Sequence, residues 1–272
     1  MTPAGTDKIP TAPRAASIPT GRLRWQRRLG WFVFPLVYLV LSFALRFLMR
    51  YRIDDLKRVR REFRAVSAEP GPVLICANHL TMIDSVIMMW AFAGPWTYWC
   101  AFSRLCWNVP ARENFAHSFW QRWVTYLAKC LPIDRQGSRE HLDGIFENLR
   151  ELLRAGEYVM LFPEGTRSRT GRFRADEITY GVGRLVQAVP ECRVLCVYLR
   201  GARQDGHSDL PVRGETFFLD LRLIAPDALA AAGLANDASG GLRVARDVSR
   251  CIATELERME GKYFAGGSGA GV

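Results

Sequence analysis

His79 and Asp84 stand five positions apart in a chain that holds four histidines among 272 residues. An imidazole steadied by a carboxylate can act as a general base, because the carboxylate selects one tautomer and stabilises the imidazolium formed when a proton is taken. The pair comes just after Val73-Leu74-Ile75-Cys76-Ala77, an apolar run behind Pro70-Gly71-Pro72, which places it at the tip of a predicted buried strand. A plainer reading is a polar turn in which Thr81 or Asp84 caps a helix carrying Val86, Ile87 and Met89. A second polar cluster, Phe162-Pro163-Glu164-Gly165-Thr166-Arg167-Ser168, follows another short apolar run, Tyr158-Val159-Met160-Leu161. Two such strand tips in an α/β pattern tend to share one edge of a sheet, where folds of this class build their sites.

Asn78-His79-x4-Asp84 followed 80 residues later by Glu164 in Phe-Pro-Glu-Gly-Thr-Arg-Ser resembles the lysophospholipid acyltransferase family, whose bacterial prototype is 1-acylglycerol-3-phosphate acyltransferase. The resemblance covers roughly residues 70 to 200. It implies transfer of a fatty acyl group from acyl carrier protein or coenzyme A to the free hydroxyl of a lysophospholipid, foremost lysophosphatidic acid. In that scheme His79 and Asp84 are catalytic, and Asn78, Arg135, Glu164, Gly165, Thr166 and Arg167 meet the substrate. Arg135, in Leu131-Pro132-Ile133-Asp134-Arg135, looks like the family's second block, and its planar fork suits a phosphate. Gly165 lets the backbone approach phosphate oxygens, the amides of Gly165 and Thr166 can point at them, and Arg167 adds charge. Glu164, as an anion, would instead orient donors or accept from a hydroxyl. Arg104 and Lys129 are the residues available for the lysine that the family often places between its first two blocks. Cys196-Val197-Tyr198 replaces the family's usual Val-Pro-Val. No metal or bound cofactor is implied.

The elements that must position these residues read as one α/β domain, a mixed, mostly parallel sheet flanked by helices, over residues 66–262. A helix capped by Ser138 runs to about Ala155 and stops at Gly156, with Leu142, Ile145, Phe146, Leu149, Leu152 and Leu153 on one face; His141 in its first turn reads as solvated. Further strands are expected at Val194–Leu199 and Phe217–Leu223, and an amphipathic helix over Leu242–Met259. Six of eight Trp fall between Trp90 and Trp123, and such a concentration reads mainly as core, with the wall of an acyl channel as the alternative. Gly181-Val182-Gly183 lacks the strand and the third glycine of a dinucleotide loop, and no Gly-x-Ser-x-Gly elbow is present.

Residues 1–21 read as a disordered leader, 22–65 as membrane-associated basic and apolar helices, and 263–272 as a disordered tail. Arg22, Arg24, Arg27 and Arg28 precede Leu29–Leu45, seventeen uncharged residues that Pro35 would kink. No cleavage site follows, so the segment reads as a helix or bent pair in one leaflet at the cytoplasmic face of the membrane, with a single span as the other reading. Tyr51–Phe63 has the spacing of a basic amphipathic helix beside it. The balance of 37 Lys and Arg against 27 Asp and Glu gives +10. With that apolar segment nearby, the charge points to anionic lipid and not to nucleic acid. Seven cysteines without a Cys-x2-Cys pair suit a reducing compartment and supply no metal site. Two other functions stay open: the same chemistry on another acceptor, such as a lyso-ornithine lipid or a specialised lipid or pigment precursor, and a non-catalytic lipid-binding protein of the same fold.

Overall fold

The computed structural model describes residues 21–115, 118–233 and 241–266. The strands are β1 (Arg52–Ile53), β2 (Val73–Ala77), β3 (Trp107–Asn108), β4 (Tyr158–Leu161), β5 (Arg193–Gly201) and β6 (Thr216–Leu223). The α-helices are α1 (Gly21–Phe43), α2 (Leu56–Ala68), α3 (Asp84–Phe92), α4 (Pro95–Cys100), α5 (Arg112–Phe115), α6 (Phe119–Leu127), α7 (Arg139–Arg154), α8 (Gly181–Ala188), α9 (Pro226–Ala231) and α10 (Gly241–Gly266). They form one six-stranded sheet, ordered β1-β6-β5-β2-β4-β3, with helices on both faces.

β2 is central because every residue in it is buried, Val-Leu-Ile-Cys-Ala without a polar atom to spare outside the backbone. It runs parallel to β4 on one side and to β5 on the other, and Cys76 lies opposite both Leu161 and Cys196. β3 continues the parallel set beyond β4, whereas β6 is antiparallel to β5. One face is covered by α7, α8 and α10, and the other by α2, α3, Tyr98, Phe102 and Phe34 of α1. The register brings the chain leaving β2 and the chain leaving β4 side by side, so the two polar clusters share an edge as expected.

Several expectations need correction. The helix expected from Tyr51 starts at Leu56, because Arg52–Ile53 joins β6 as a strand and Asp55, at φ +40°, turns the chain and caps Arg58 N. The tryptophans are not mainly core: Trp107 is fully buried, but Trp96 is 76% and Trp123 42% exposed. The tail segment 263–266 is helical, held where Tyr263 packs on Tyr198 and Phe218. The leader through residue 20 and the end from 267 lie outside the described residues. α1 continues past Pro35 into a π-helical turn over Ala44–Leu48, giving one 28-residue apolar helix.

The Lys129 and Arg104 alternatives both fall away from the site. Lys129 is fully buried at the start of the parallel strands, with Nζ 2.5 Å from Glu157 Oε2 and 2.6 Å from Leu105 O. Glu157 also accepts from Trp107 Nε1 and from Arg27 Nε of α1, while Arg104 donates to Ser67 O. Removing one member of such a buried pair strands the other charge, a loss of about 3–5 kcal/mol. Glu157→Leu should therefore unfold in denaturant with stability reduced by about that amount. A loss below about 1 kcal/mol would show that the pair is not the buried support described here.

Candidate active site

His79 lies two residues past β2, and Asp84 opens α3. The capping alternative fails on geometry. Ile83 holds the N-cap position without a side-chain bond, and the Asp84 carboxylate turns back toward the strand tip. Its Oδ2 receives Leu80 N at 2.6 Å, Thr81 N at 2.8 Å and His79 Nδ1 at 3.0 Å, and its Oδ1 receives Thr81 Oγ1 at 2.5 Å. A carboxylate that is 3% exposed is tolerable because these donors and the helix N-terminus replace its water. Since an ionised carboxylate only accepts, Nδ1 carries the proton and neutral His79 has its lone pair on Nε2. Nε2 has no partner among the described residues.

The second cluster grips the same histidine. Its ring stacks on Phe162 at 4.0 Å between centroids, His79 N donates to Glu164 Oε1 at 3.2 Å, and His79 O accepts from Ser168 N at 2.8 Å. The loop is anchored in turn by Thr179, whose N and Oγ1 both donate to Pro163 O.

Burial pushes the Glu164 carboxyl up to about 8, against the opposing pull of its bonds from the His79 and Arg174 amides. Glu164 is 5% exposed and so is mostly uncharged at neutral pH.

The remaining expected residues are not gathered at one point. Asn78 spends both ends of its amide on Leu199, donating to its carbonyl and accepting from its N–H. It therefore serves as a pin between β2 and β5 at the tip that carries His79. Gly165 adopts φ +67°, where glycine is favoured, and its amide closes a turn onto Phe162 O, so that N–H does not point at a ligand. Thr166 is exposed. Arg167 Nη1 donates to Asp209 Oδ1 at 2.6 Å and Ser208 O at 3.2 Å. Arg135 is exposed beyond the segment 130–133, which pairs outside β3. That is three strand spacings from β2, roughly 14 Å, on the same edge. His141, expected to be solvated, accepts from Asp134 N and so shapes the turn before α7.

Sequence reasoning missed the segment 202–215, which closes over both loops: Ser208 N donates to Leu80 O, Met82 N to Asp209 O, and Thr81 bridges Ser208. It also missed Arg200, buried, whose guanidinium donates to Gly171 O and Gln204 O, and Glu260, which accepts from Phe173 N and Tyr198 Oη. An arginine near the end of a buried strand was the one available signal.

The family model described as Acyltransferase matches residues 54–212, more than half of the chain and a wider span than the motifs alone suggested. The chain belongs to the acyltransferase family. This is the family of 1-acyl-sn-glycerol-3-phosphate acyltransferases, so acyl transfer from a donor to a lipid acceptor is the general chemistry of this acyltransferase. Comparison with curated proteins gave no match.

The buried carboxyl of Glu164 has a measurable consequence. Its folded value lies above the unfolded one, so the folded state holds the extra proton and stability falls as pH rises from about 4.5 to about 8. Glu164→Gln removes that titration while keeping an acceptor for His79 N. The stability of this variant minus that of the wild type should rise steadily from pH 5 to 8.5, by up to about 4 kcal/mol, and the melting-temperature difference should follow it. A difference that does not vary with pH would rule out the buried titration.

Proposed function

We propose that this protein moves a fatty acyl group from acyl carrier protein or coenzyme A to the free hydroxyl of a lysophospholipid, foremost lysophosphatidic acid, forming phosphatidic acid. The observation that carries the reading is a histidine with Nδ1 bound to a buried, fully bonded carboxylate and Nε2 unpartnered, beside a loop bearing Arg167.

Nε2 takes the hydroxyl proton as the oxygen attacks the thioester carbonyl, and Asp84 stabilises the imidazolium. The carbon–sulfur bond then breaks, and the departing thiolate receives the proton from Nε2. No side chain is acylated. A neutral Glu164 next to this loop does not repel an arriving phosphate, which its charged form would. Arg167 meets that phosphate by exchanging its exposed partner Asp209 for the stronger dianion. Arg135 extends the positive approach along the edge, and the exposed Thr166 offers a hydroxyl.

A second acceptor class is favoured by one observation. The cations assigned to phosphate are spread along the sheet edge, and Arg167 already has a carboxylate, which suits a lysolipid lacking a phosphomonoester.

α1 supports action at a bilayer. Phe32, Leu36, Leu39, Val40, Phe43 and Phe47 form an exposed stripe, while Phe34 and Leu45 are buried and Tyr38 Oη donates to Ala93 O. The helix docks on the domain along its length, through α6 and α4, which favours lying in one leaflet at the cytoplasmic face over standing across it.

Purified protein in detergent should transfer labelled acyl groups to lysophosphatidic acid, and His79→Ala and Asp84→Ala should each lower kcat at least about a hundredfold. Near-normal turnover in either variant would remove the dyad; transfer only to lysolipids without phosphate would select the second acceptor class. Arg167→Ala should raise acceptor KM about tenfold with little change in kcat, whereas Asp209→Asn should lower it by up to about fivefold. Equal KM in both variants and wild type would take the phosphate role from Arg167.

A further inference from the structure

A cavity of about 1200 Å³ lies between α1, α6 and α7, lined by residues that include Arg22, Arg112, Arg122, Leu29, Trp123 and Gly144. It is separate from the site above. Leu131 and Ile145 on its wall belong to the core on the α7 side of the sheet, whereas Phe162 and α3, which hold the His79 ring, pack on the opposite side. Neither His79, Asp84 nor any residue of Glu164–Arg167 lines it.

Its chemistry is that of an amphiphile with a negative head. The three guanidinium groups have no hydrogen-bond or ion-pair partner among the described residues, and the one carboxylate on the lining is Glu140. Uncompensated arginines at a concave wall favour a phosphate oxygen, which accepts two parallel bonds from each fork. Beside them Leu23, Leu29 and Trp123 offer apolar wall. Leu29 is also where the outward stripe of α1 begins, continuing through Phe32 and Leu36, so this end of the cavity adjoins the surface assigned to the bilayer. A soluble phosphate would leave the apolar wall uncovered, and a neutral lipid would leave the arginines without a counter-ion.

We propose that this cavity binds one anionic phospholipid from the membrane, its phosphate at Arg22, Arg112 and Arg122 and a chain along Leu29 and Trp123, as a second lipid site distinct from the acyl-transfer site. The bilayer as the source rests on the membrane reading of α1 given above. The lipid bridges α1 to α6 and α7 and thereby fixes the apolar helix against the domain.

Gly144 supplies a direct test, because it lines the cavity and a Cβ added there meets nothing within 4 Å, so Gly144→Phe introduces a ring at the cavity wall. Dihexanoyl phosphatidylglycerol, soluble as a monomer, is titrated calorimetrically into protein held in a non-ionic amphipathic polymer. Saturable one-to-one binding is expected, weakened at least about tenfold by Gly144→Phe and by the double substitution R112Q/R122Q. Dihexanoyl phosphatidylcholine and glycerol phosphate should each bind at least about tenfold more weakly. Equal binding of phosphatidylcholine, equal binding of glycerol phosphate, undiminished binding in Gly144→Phe, or no binding would each overturn the proposal. Acyl transfer by Gly144→Phe in zwitterionic micelles, with lysophosphatidic acid as acceptor, should keep wild-type kcat and KM. A loss of binding together with a matching rise in KM would instead put the cavity inside the substrate path. Failure of transfer in every form would count against the proposed reaction while leaving the calorimetric result to decide the second site.

Discussion

The buried carboxylate of Asp84 is the constraint on which the rest of the site depends. A carboxylate this enclosed costs several kcal/mol unless its oxygens are fully bonded, and here the backbone of Leu80 and Thr81, the Thr81 hydroxyl and the His79 ring satisfy it. Meeting that demand requires the chain to turn sharply between β2 and α3, which sets the His79 ring against Phe162 with Nε2 unpartnered among the described residues. The second loop then clamps the histidine's own backbone, Glu164 on its N–H and Ser168 on its carbonyl. Parallel pairing of β2 with β4 makes this possible, since adjacent parallel strands end at the same level. Fold and candidate chemistry thus meet in one interaction: the turn that satisfies a buried charge is also the turn that orients the proposed base.

The parts legible in the sequence were those governed by local rules. β2 and β4 stand out as short apolar runs bounded by Pro and Gly, α7 by its Ser138 cap and Gly156 stop, and the His79–Asp84 pair by its spacing. What stayed hidden was set by contacts distant in the chain. β1 exists because β6 lies beside it, 164 residues later at Arg52 and Thr216. The partners of Asn78 and Lys129 were hidden in the same way, since Leu199 on both ends of the Asn78 amide and Glu157, Leu105 and Phe102 around the Lys129 ammonium all lie far along the chain. Polar residue types announce that bonds will be made, not with whom. The tryptophan cluster failed for another reason: an amphipathic side chain can serve a core or an interface, and only the packing distinguishes Trp107 from Trp96.

The N-terminal helix is part of the domain. Gln26 donates to the carbonyls of Tyr126 and Cys130, Arg27 reaches Glu157 beneath β4, and Trp31 donates to Trp99 O. The same helix turns a long apolar stripe outward. A helix so pinned cannot reorient without the domain following, so its docking fixes the apolar stripe relative to the domain.

The central claim, that Asp84 holds His79 with Nδ1 protonated and Nε2 free as the base, is tested most directly by the imidazole nitrogens themselves. Nitrogen-15 NMR of selectively histidine-labelled protein, with His79 assigned by its loss in His79→Ala, reports the tautomer above the imidazole titration. The account predicts a protonated Nδ1 and an unprotonated, lone-pair-bearing Nε2 that reverts to a tautomer mixture in Asp84→Asn. A neutral His79 carrying its proton on Nε2 in the wild type would contradict it.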